Sequence, residues 1–283
     1  MTGRLIFDNE ILVDEIGLRT ARYRDVHIKS AYQPVWRFRD GVLRARSVEA
    51  FARVFREGVA VPAVEFLAQV EPDERFYVEW LCQTLHLENY PNIGASGVEL
   101  FFNYDPRVNT DLDRSIAQLG EMAERLGRLG VDSGLLVCEI TQADTLDRDT
   151  FVRLAAEIRR LGMRLAIDGF GVASATLDHV RTVAPEFVKF DGAFLRRVME
   201  EPAALHLLSR LSNSLKAAGA LVIFEGLETP GQLVTGIETG ADYLQGFLLG
   251  KPELAGSHFD DRPWRIEHFT GLGDRVVPLY AAS

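Results

Sequence analysis

Leu165-Ala166-Ile167-Asp168 is an apolar run that stops on an acid, and the same design recurs along the chain. The run 100–103 ends on an amide, 135–139 and 221–225 end on acids, and 187–191 carries both Lys189 and Asp191. Short apolar runs of this kind suit strands buried on both faces. In a barrel of parallel strands the C-terminal strand ends open onto one mouth, so the recurrence gathers carboxylates and an amide there. Such a cluster repels itself unless cations balance it, which points to a divalent-metal site.

Helical spacing fills the gaps between the runs. Ile116, Leu119, Met122, Leu126 and Leu129 precede Gly130; Phe151, Leu154, Ala155, Ile158 and Leu161 precede Gly162; Leu205, Leu208, Leu211 and Leu215 precede Gly219. These patterns predict helices over 114–130, 151–162 and 203–219. Residues 32–38 and 43–53 flank Arg39-Asp40-Gly41, which predicts a hairpin. About eight strand candidates emerge, the last six ending at Tyr104, Gln142, Asp168, Phe190, Glu225 and Gln245. The expectation is a (β/α)8 TIM-like barrel of class α/β, with an antiparallel strand near the N-terminal hairpin. A doubly wound open sheet is the alternative, but no glycine-rich phosphate turn follows the first strand. The expected division is an N-terminal capping segment over 1–29, the barrel over 30–255, and a C-terminal tail over 256–283 packed on the barrel.

Composition narrows the function classes. The chain has 283 residues, 47% hydrophobic and 25% charged, enough for a large core without disulfides. A formal net charge of −10 argues against nonspecific DNA binding, which needs a basic face. It leaves room for a small anionic ligand met by a few arginines or bound cations. Only Cys82 and Cys138 are present, no signal-peptide pattern opens the chain, and no stretch approaches the ~20 apolar residues of a membrane helix. A cytoplasmic chain without a membrane span is the simplest reading.

Taken singly, each candidate residue has an ordinary explanation. A strand glutamate such as Glu49 usually faces solvent. Asn103 can end a strand in a turn. Glu139 can pair with a nearby arginine, and Lys189 with an acid. Asp168 and Glu225 can cap the helices that follow them. Six such residues at strand ends in one alternating chain favour a shared site.

The combination resembles the EAL domain family, the bacterial cyclic-di-GMP phosphodiesterases. The matching pieces span about 30–252: Tyr32-Gln33-Pro34, Glu49-Ala50-Phe51 with Arg53, Asn103, Glu139-Ile140-Thr141, Asp168 with Phe170-Gly171, Lys189-Phe190-Asp191, Glu225-Gly226-Leu227-Glu228-Thr229 and Gln245-Gly246-Phe247. The resemblance implies that Glu49, Asn103, Glu139 and Asp168 ligate metal. Lys189, Glu225 and Gln245 would position and activate water, while Arg53 and Gln33 would meet the ligand. Oxygen donors without a His or Cys pair favour Mg²⁺ or Mn²⁺. The implied reaction opens one phosphodiester of cyclic-di-GMP to linear pGpG, with two metals about 3.5–4 Å apart. Family members often dimerise through elements near the loop after Asp168, which is altered here; a homodimer and a protein partner are the other partners considered.

Four positions around this loop depart from the family pattern. Gly169 stands where the resemblance implies a second aspartate for the second metal. Gln142 stands in place of a glutamate that tethers the next loop. Val172-Ala173 replaces Thr-Gly within that loop. The expectation is therefore a degenerate member, binding cyclic-di-GMP as a receptor with weak or no hydrolysis. An active Mg/Mn-dependent phosphodiesterase is the second reading. An interaction module that has lost the nucleotide is the third.

Overall fold

The computed structural model describes residues 10–172 and 175–271. Its eight barrel strands are β1 (Val26–Arg39), β2 (Val42–Arg56), β3 (Glu99–Tyr104), β4 (Leu136–Ile140), β5 (Arg164–Phe170), β6 (Phe187–Phe190), β7 (Leu221–Phe224) and β8 (Tyr243–Leu244). Strands β2 to β8 pair in parallel, each with the next. Strand β1 runs antiparallel to both β2 and β8 and closes the barrel. This is the expected TIM-like barrel, and β1 is its expected antiparallel strand. The hairpin is longer than the sequence pattern suggested, because both strands continue past Tyr32 and Arg53 to the Val26–Arg56 pair.

Two apolar layers hold the barrel. Inside it, Val35, Phe101, Val137, Ala166, Phe187, Ile223 and Tyr243 form a plug drawn from seven different strands. Outside it, Phe102, Cys138, Ile167 and Val188 face the helices, whose Leu119, Met122, Leu126, Phe151, Leu154 and Ile158 complete the main core. Strand residues alternate between these two layers, as the pleat requires. Four helices matter below: α1 (Arg75–Asn89), α2 (Leu112–Arg128), α3 (Arg148–Arg160) and α4 (Pro202–Ala217). Helices α2 and α3 start two to three residues before the expected points, because Asp111 and Asp147 accept from Arg114 N and Thr150 N, both at 3.0 Å. Those caps satisfy backbone donors that apolar spacing does not reveal.

Several expected strand ends shift. Strand β4 stops at Ile140 rather than Gln142, which takes a left-handed φ of 49°. Strand β5 runs on to Phe170, so Asp168 lies inside it, and Glu225 and Gln245 sit one residue past β7 and β8. Two short strands, Ile11–Val13 and Arg19–Tyr23, extend the sheet from β1. In the expected C-terminal tail, Trp264–Arg265 pairs antiparallel with β2; residues 1–9 and 272–283 of the expected terminal segments lie outside the described residues, as does Ala173 of the variant loop. Among the described residues, no helix is long and apolar enough to cross a membrane.

Candidate metal centre and ligand cleft

The site is one pleat period above the apolar plug. Two residues beyond Phe101, Val137, Ala166, Phe187, Ile223 and Tyr243 come Asn103, Glu139, Asp168, Lys189, Glu225 and Gln245. Residues i and i+2 of a strand share a face, so all six point along the barrel interior toward the mouth. Strand β1 runs the other way, and there Gln33 lies two residues before the plug residue Val35. Gln33 pairs with Glu49 of β2 in the ladder, which brings both to the same level. A plug below and polar groups above closes one end of this barrel and leaves the other end polar.

Lys189 occupies the centre of the polar layer. Its Nζ donates to Glu49 Oε2 at 2.9 Å and Glu139 Oε1 at 2.5 Å, and it also pairs with Glu225 Oε1. Lys189 and Glu139 are essentially sealed from solvent, and Glu49 is buried. The solvent-facing rotamer expected of a strand glutamate therefore does not apply to Glu49: its neighbour in the layer is an ammonium group. Gln245 Nε2 donates to Glu49 Oε2 at 2.8 Å and Gln33 Oε1 at 3.1 Å, and Gln33 Nε2 donates to Gly250 O at 2.9 Å. Neither Asp168 nor Glu225 caps a helix. Asp168 Oδ1 accepts from Gly169 N at 2.6 Å, while Thr176 and Thr229 cap the next helices.

One ammonium against this many carboxylates leaves the layer short of positive charge, and the protonation equilibria record it. Burial pushes the Glu139 carboxyl well above its usual range; Lys189 opposes the shift, and Glu49, Asp168 and Glu225 add to it. Burial pushes Glu225 up to about 8, opposed by Lys189 and reinforced by Asp168 and Glu49. Asp168 is raised by burial, with Lys189 opposing and Glu49 adding. Burial disfavours the Lys189 cation, yet Glu139, Glu225, Glu49 and Asp168 together hold its pKa well above the ordinary lysine value.

These groups fit a hard dication. One oxygen from each of Glu49, Glu139 and Glu225 lies within 4.8 Å of the others. Glu139 Oε2 and Gln245 Oε1 are buried without a hydrogen-bond partner among the described residues. Unpartnered buried oxygens cost stability and are filled readily by a cation or ordered water. The donor set is all oxygen, which matches Mg²⁺ or Mn²⁺ rather than zinc.

Above the acids lies a cleft of about 240 Å³, lined by Gln33, Glu49, Phe51, Asp168, Glu225, Gly226, Glu228, Gln245, Gly246 and Phe247. Glu139 and Lys189 lie beneath it. Asn103 faces Glu139 across the β3–β4 ladder and is not part of the cleft lining. Arg53 is on the face of β2 that carries Glu49 and Phe51, four residues nearer the rim, and it also does not line the cleft. At Gly169 the backbone has φ 73°, and no carboxylate accompanies Asp168 there.

Gly246 has a tight seat that the sequence alone does not mark. A Cβ there would stand 2.1 Å from Leu227 O and 2.3 Å from Leu227 N. The close approach lets Leu227 N donate to Gln245 O at 3.0 Å, which ties the loop after β7 to the residue after β8. Glu228 and Phe247 also line the cleft, and the sequence marks them only as members of the motifs at Glu225 and Gln245. Their signal was adjacency to Glu225 and Gln245.

Comparison with known proteins agrees with this architecture. The model of the family described as "EAL domain" matches residues 18–252. The probable cyclic di-GMP phosphodiesterase PdeA of Escherichia coli K12 is 25% identical over 210 residues, covering 72% of this chain and 28% of that protein. The matched curated relative is thus several times longer than the shared region. The Bacillus subtilis YkuI protein, solved with an EAL domain, cyclic-di-GMP and calcium, superposes with a TM-score of 0.71 at 21% identity, covering 83% of this chain and 57% of that one. Klebsiella pneumoniae BlrP1, solved with manganese and cyclic-di-GMP, gives 0.72 at 21% identity, covering 84% and 59%. At these identities the two structures establish the likeness of fold.

Proposed function

The chain belongs to the EAL domain family, and from that premise we propose that it takes part in cyclic-di-GMP signalling as a receptor, with weak or no hydrolysis. The observation that carries this reading is Gly169: beside a complete Glu49–Glu139–Lys189–Glu225 cluster, the neighbour of Asp168 has no side chain. The proteins solved with cyclic-di-GMP and a divalent ion share the barrel, which supports the same ligand class here.

In this reading Glu49, Asn103, Glu139 and Asp168 would hold a Mg²⁺ or Mn²⁺ ion. Such an ion, when bound, neutralises charge on a phosphodiester under attack. The remaining work falls to the chain's own groups. Lys189 holds three carboxylates in one layer. Glu225, at the cleft surface with a raised pKa, is placed to take a proton from water. Gln245 fixes Glu49 and Gln33 through one amide nitrogen. Arg53, near the rim on the same face as Glu49, supplies a guanidinium for a phosphate of the ligand. Without a carboxylate at 169, a second metal has one anionic ligand fewer and binds more weakly. The charge it would have supplied to the phosphate is then missing.

The completeness of the Glu49–Glu139–Glu225 triad favours a second reading, an active phosphodiesterase working with the ions it can hold. One experiment separates the two. Cyclic-di-GMP is titrated calorimetrically into the purified chain with and without Mg²⁺ or Mn²⁺, and pGpG is followed in the same sample. Binding without appreciable product supports the receptor. Steady product formation establishes the enzyme, and no heat of binding at any metal concentration removes both. Cytoplasmic location, a protein partner, a homodimer and the 30–255 barrel boundary belong to this proposal as well.

A further inference from the structure

We infer that Gln83 of helix α1 is a positioning residue for Asn103, setting the height at which that amide meets a metal. The inference rests on the metal-site reading above and deepens it. Strand β3 loses its neighbour on one side beyond Phe101, because the ladder with β2 ends at the Glu49–Phe101 pair. Successive carbonyls of a strand point to opposite edges. Tyr104 O is met on the β4 side by Thr141 N at 3.1 Å, which leaves Asn103 O facing the open edge. Gln83 Nε2 fills that place, donating to Asn103 O at 2.8 Å.

The Gln83 amide is itself locked. Its Oε1 accepts from Gln118 Nε2 of helix α2 at 2.9 Å, and its Nε2 also donates to Glu79 Oε1 at 3.2 Å. Glu79 Oε1 further accepts from Asn109 Nδ2 at 2.7 Å and Asp105 N at 3.3 Å, on the loop that follows Asn103. Rotating the Gln83 amide by half a turn would set its oxygen against Asn103 O and Glu79 and its nitrogen against the Gln118 donor. Gln83 is buried, so water does not replace the lost bonds. One side chain thus joins two helices, a loop and the backbone of the residue whose side chain would ligate metal. Partners of this kind tune metal affinity without touching the ion.

The test is Mn²⁺ affinity by calorimetry on the full chain, with melting temperature measured in parallel. Gln83→Met keeps the volume and removes the hydrogen bonds. It is expected to weaken Mn²⁺ binding by about tenfold to a hundredfold. Gln118→Met frees the Gln83 amide while leaving it in place and is expected to give a smaller loss. In an Asn103→Ala background, Gln83→Met is expected to cause no further loss, because it acts through Asn103. Leu208→Ala in helix α4, remote from the site, is expected to lower the melting temperature and leave Mn²⁺ affinity unchanged. Additive losses in the Asn103→Ala background, or an unchanged affinity in Gln83→Met, overturn the inference alone. A wild-type chain that binds no Mn²⁺ overturns the metal-site reading and the inference with it.

Discussion

At the scale of single residues, position 169 decides how much charge the mouth can hold. The φ of 73° places Gly169 in the left-handed region, where an aspartate costs about 1 kcal/mol but is better tolerated than most residues. Gly169→Asp also adds a carboxylate beside Asp168, which repels it until a cation arrives. The expected outcome is a lower melting temperature in chelator and Mn²⁺ affinity raised on the order of tenfold, read by calorimetry and thermal unfolding of one preparation. Combined with Gln142→Glu, product formation from cyclic-di-GMP should exceed that of either single variant. A wild type that already turns over as fast as the double variant would replace the receptor with the phosphodiesterase. Lys189 is the opposite case. Lys189→Met leaves Glu49, Glu139 and Glu225 facing one another, and stability in chelator should fall by about 3–5 kcal/mol. Saturating Mn²⁺ should restore a large part of it, as urea unfolding with and without the ion will show.

At the scale of elements, helix α1 carries two buried or half-buried polar groups with opposing pH behaviour. Burial lowers His86 to about 4, and burial raises Glu79 to about 7 against the hydrogen bonds from Asn109 and Asp105. The neutral His86 contributes stability that is full above the unfolded histidine value of about 6.5 and is lost as pH falls toward 4. Glu79 acts in reverse: its raised pKa makes the fold relatively more stable below about 4.5, and that contribution is lost as pH rises toward 7. The two windows overlap and offset each other. Glu79→Gln should uncover the histidine, so that stability drops by about 1–3 kcal/mol between pH 6.5 and 4.5 while the wild type stays flatter. The same helix shows where reading the sequence stops. The helices over α2, α3 and α4 were legible because their apolar spacing is periodic, and the acid-ending runs were legible because each is local. Gln83 was not, since its meaning depends on where α1 docks against the end of β3. Gln33 could be placed near the ligand only through the family resemblance, because β1 runs backward and its site residue precedes the plug residue. Gly246 looks like any glycine until the backbone of Leu227 is brought against it.

For the whole molecule, closure depends on the shortest barrel strand. Strand β8 has two residues, yet it alone joins β7 to β1. A chain ending at Gly240 leaves both those edges unpaired and removes Gln245 from the polar layer. It should lose the cooperative urea transition expected of the full chain, with dye binding to exposed apolar surface; a retained sharp transition would show that seven strands suffice. The Lys189 ammonium has a consequence at this scale too. The barrel comes off the ribosome with a counter-ion built into its own sequence, so folding need not wait for metal from the surroundings. Proteins whose acids or thiols are balanced only by an imported ion fall apart when it is withdrawn. Here a fall in the supply of divalent ions would empty the mouth and remove only the stability that the bound ion adds, with Lys189 still holding the layer together.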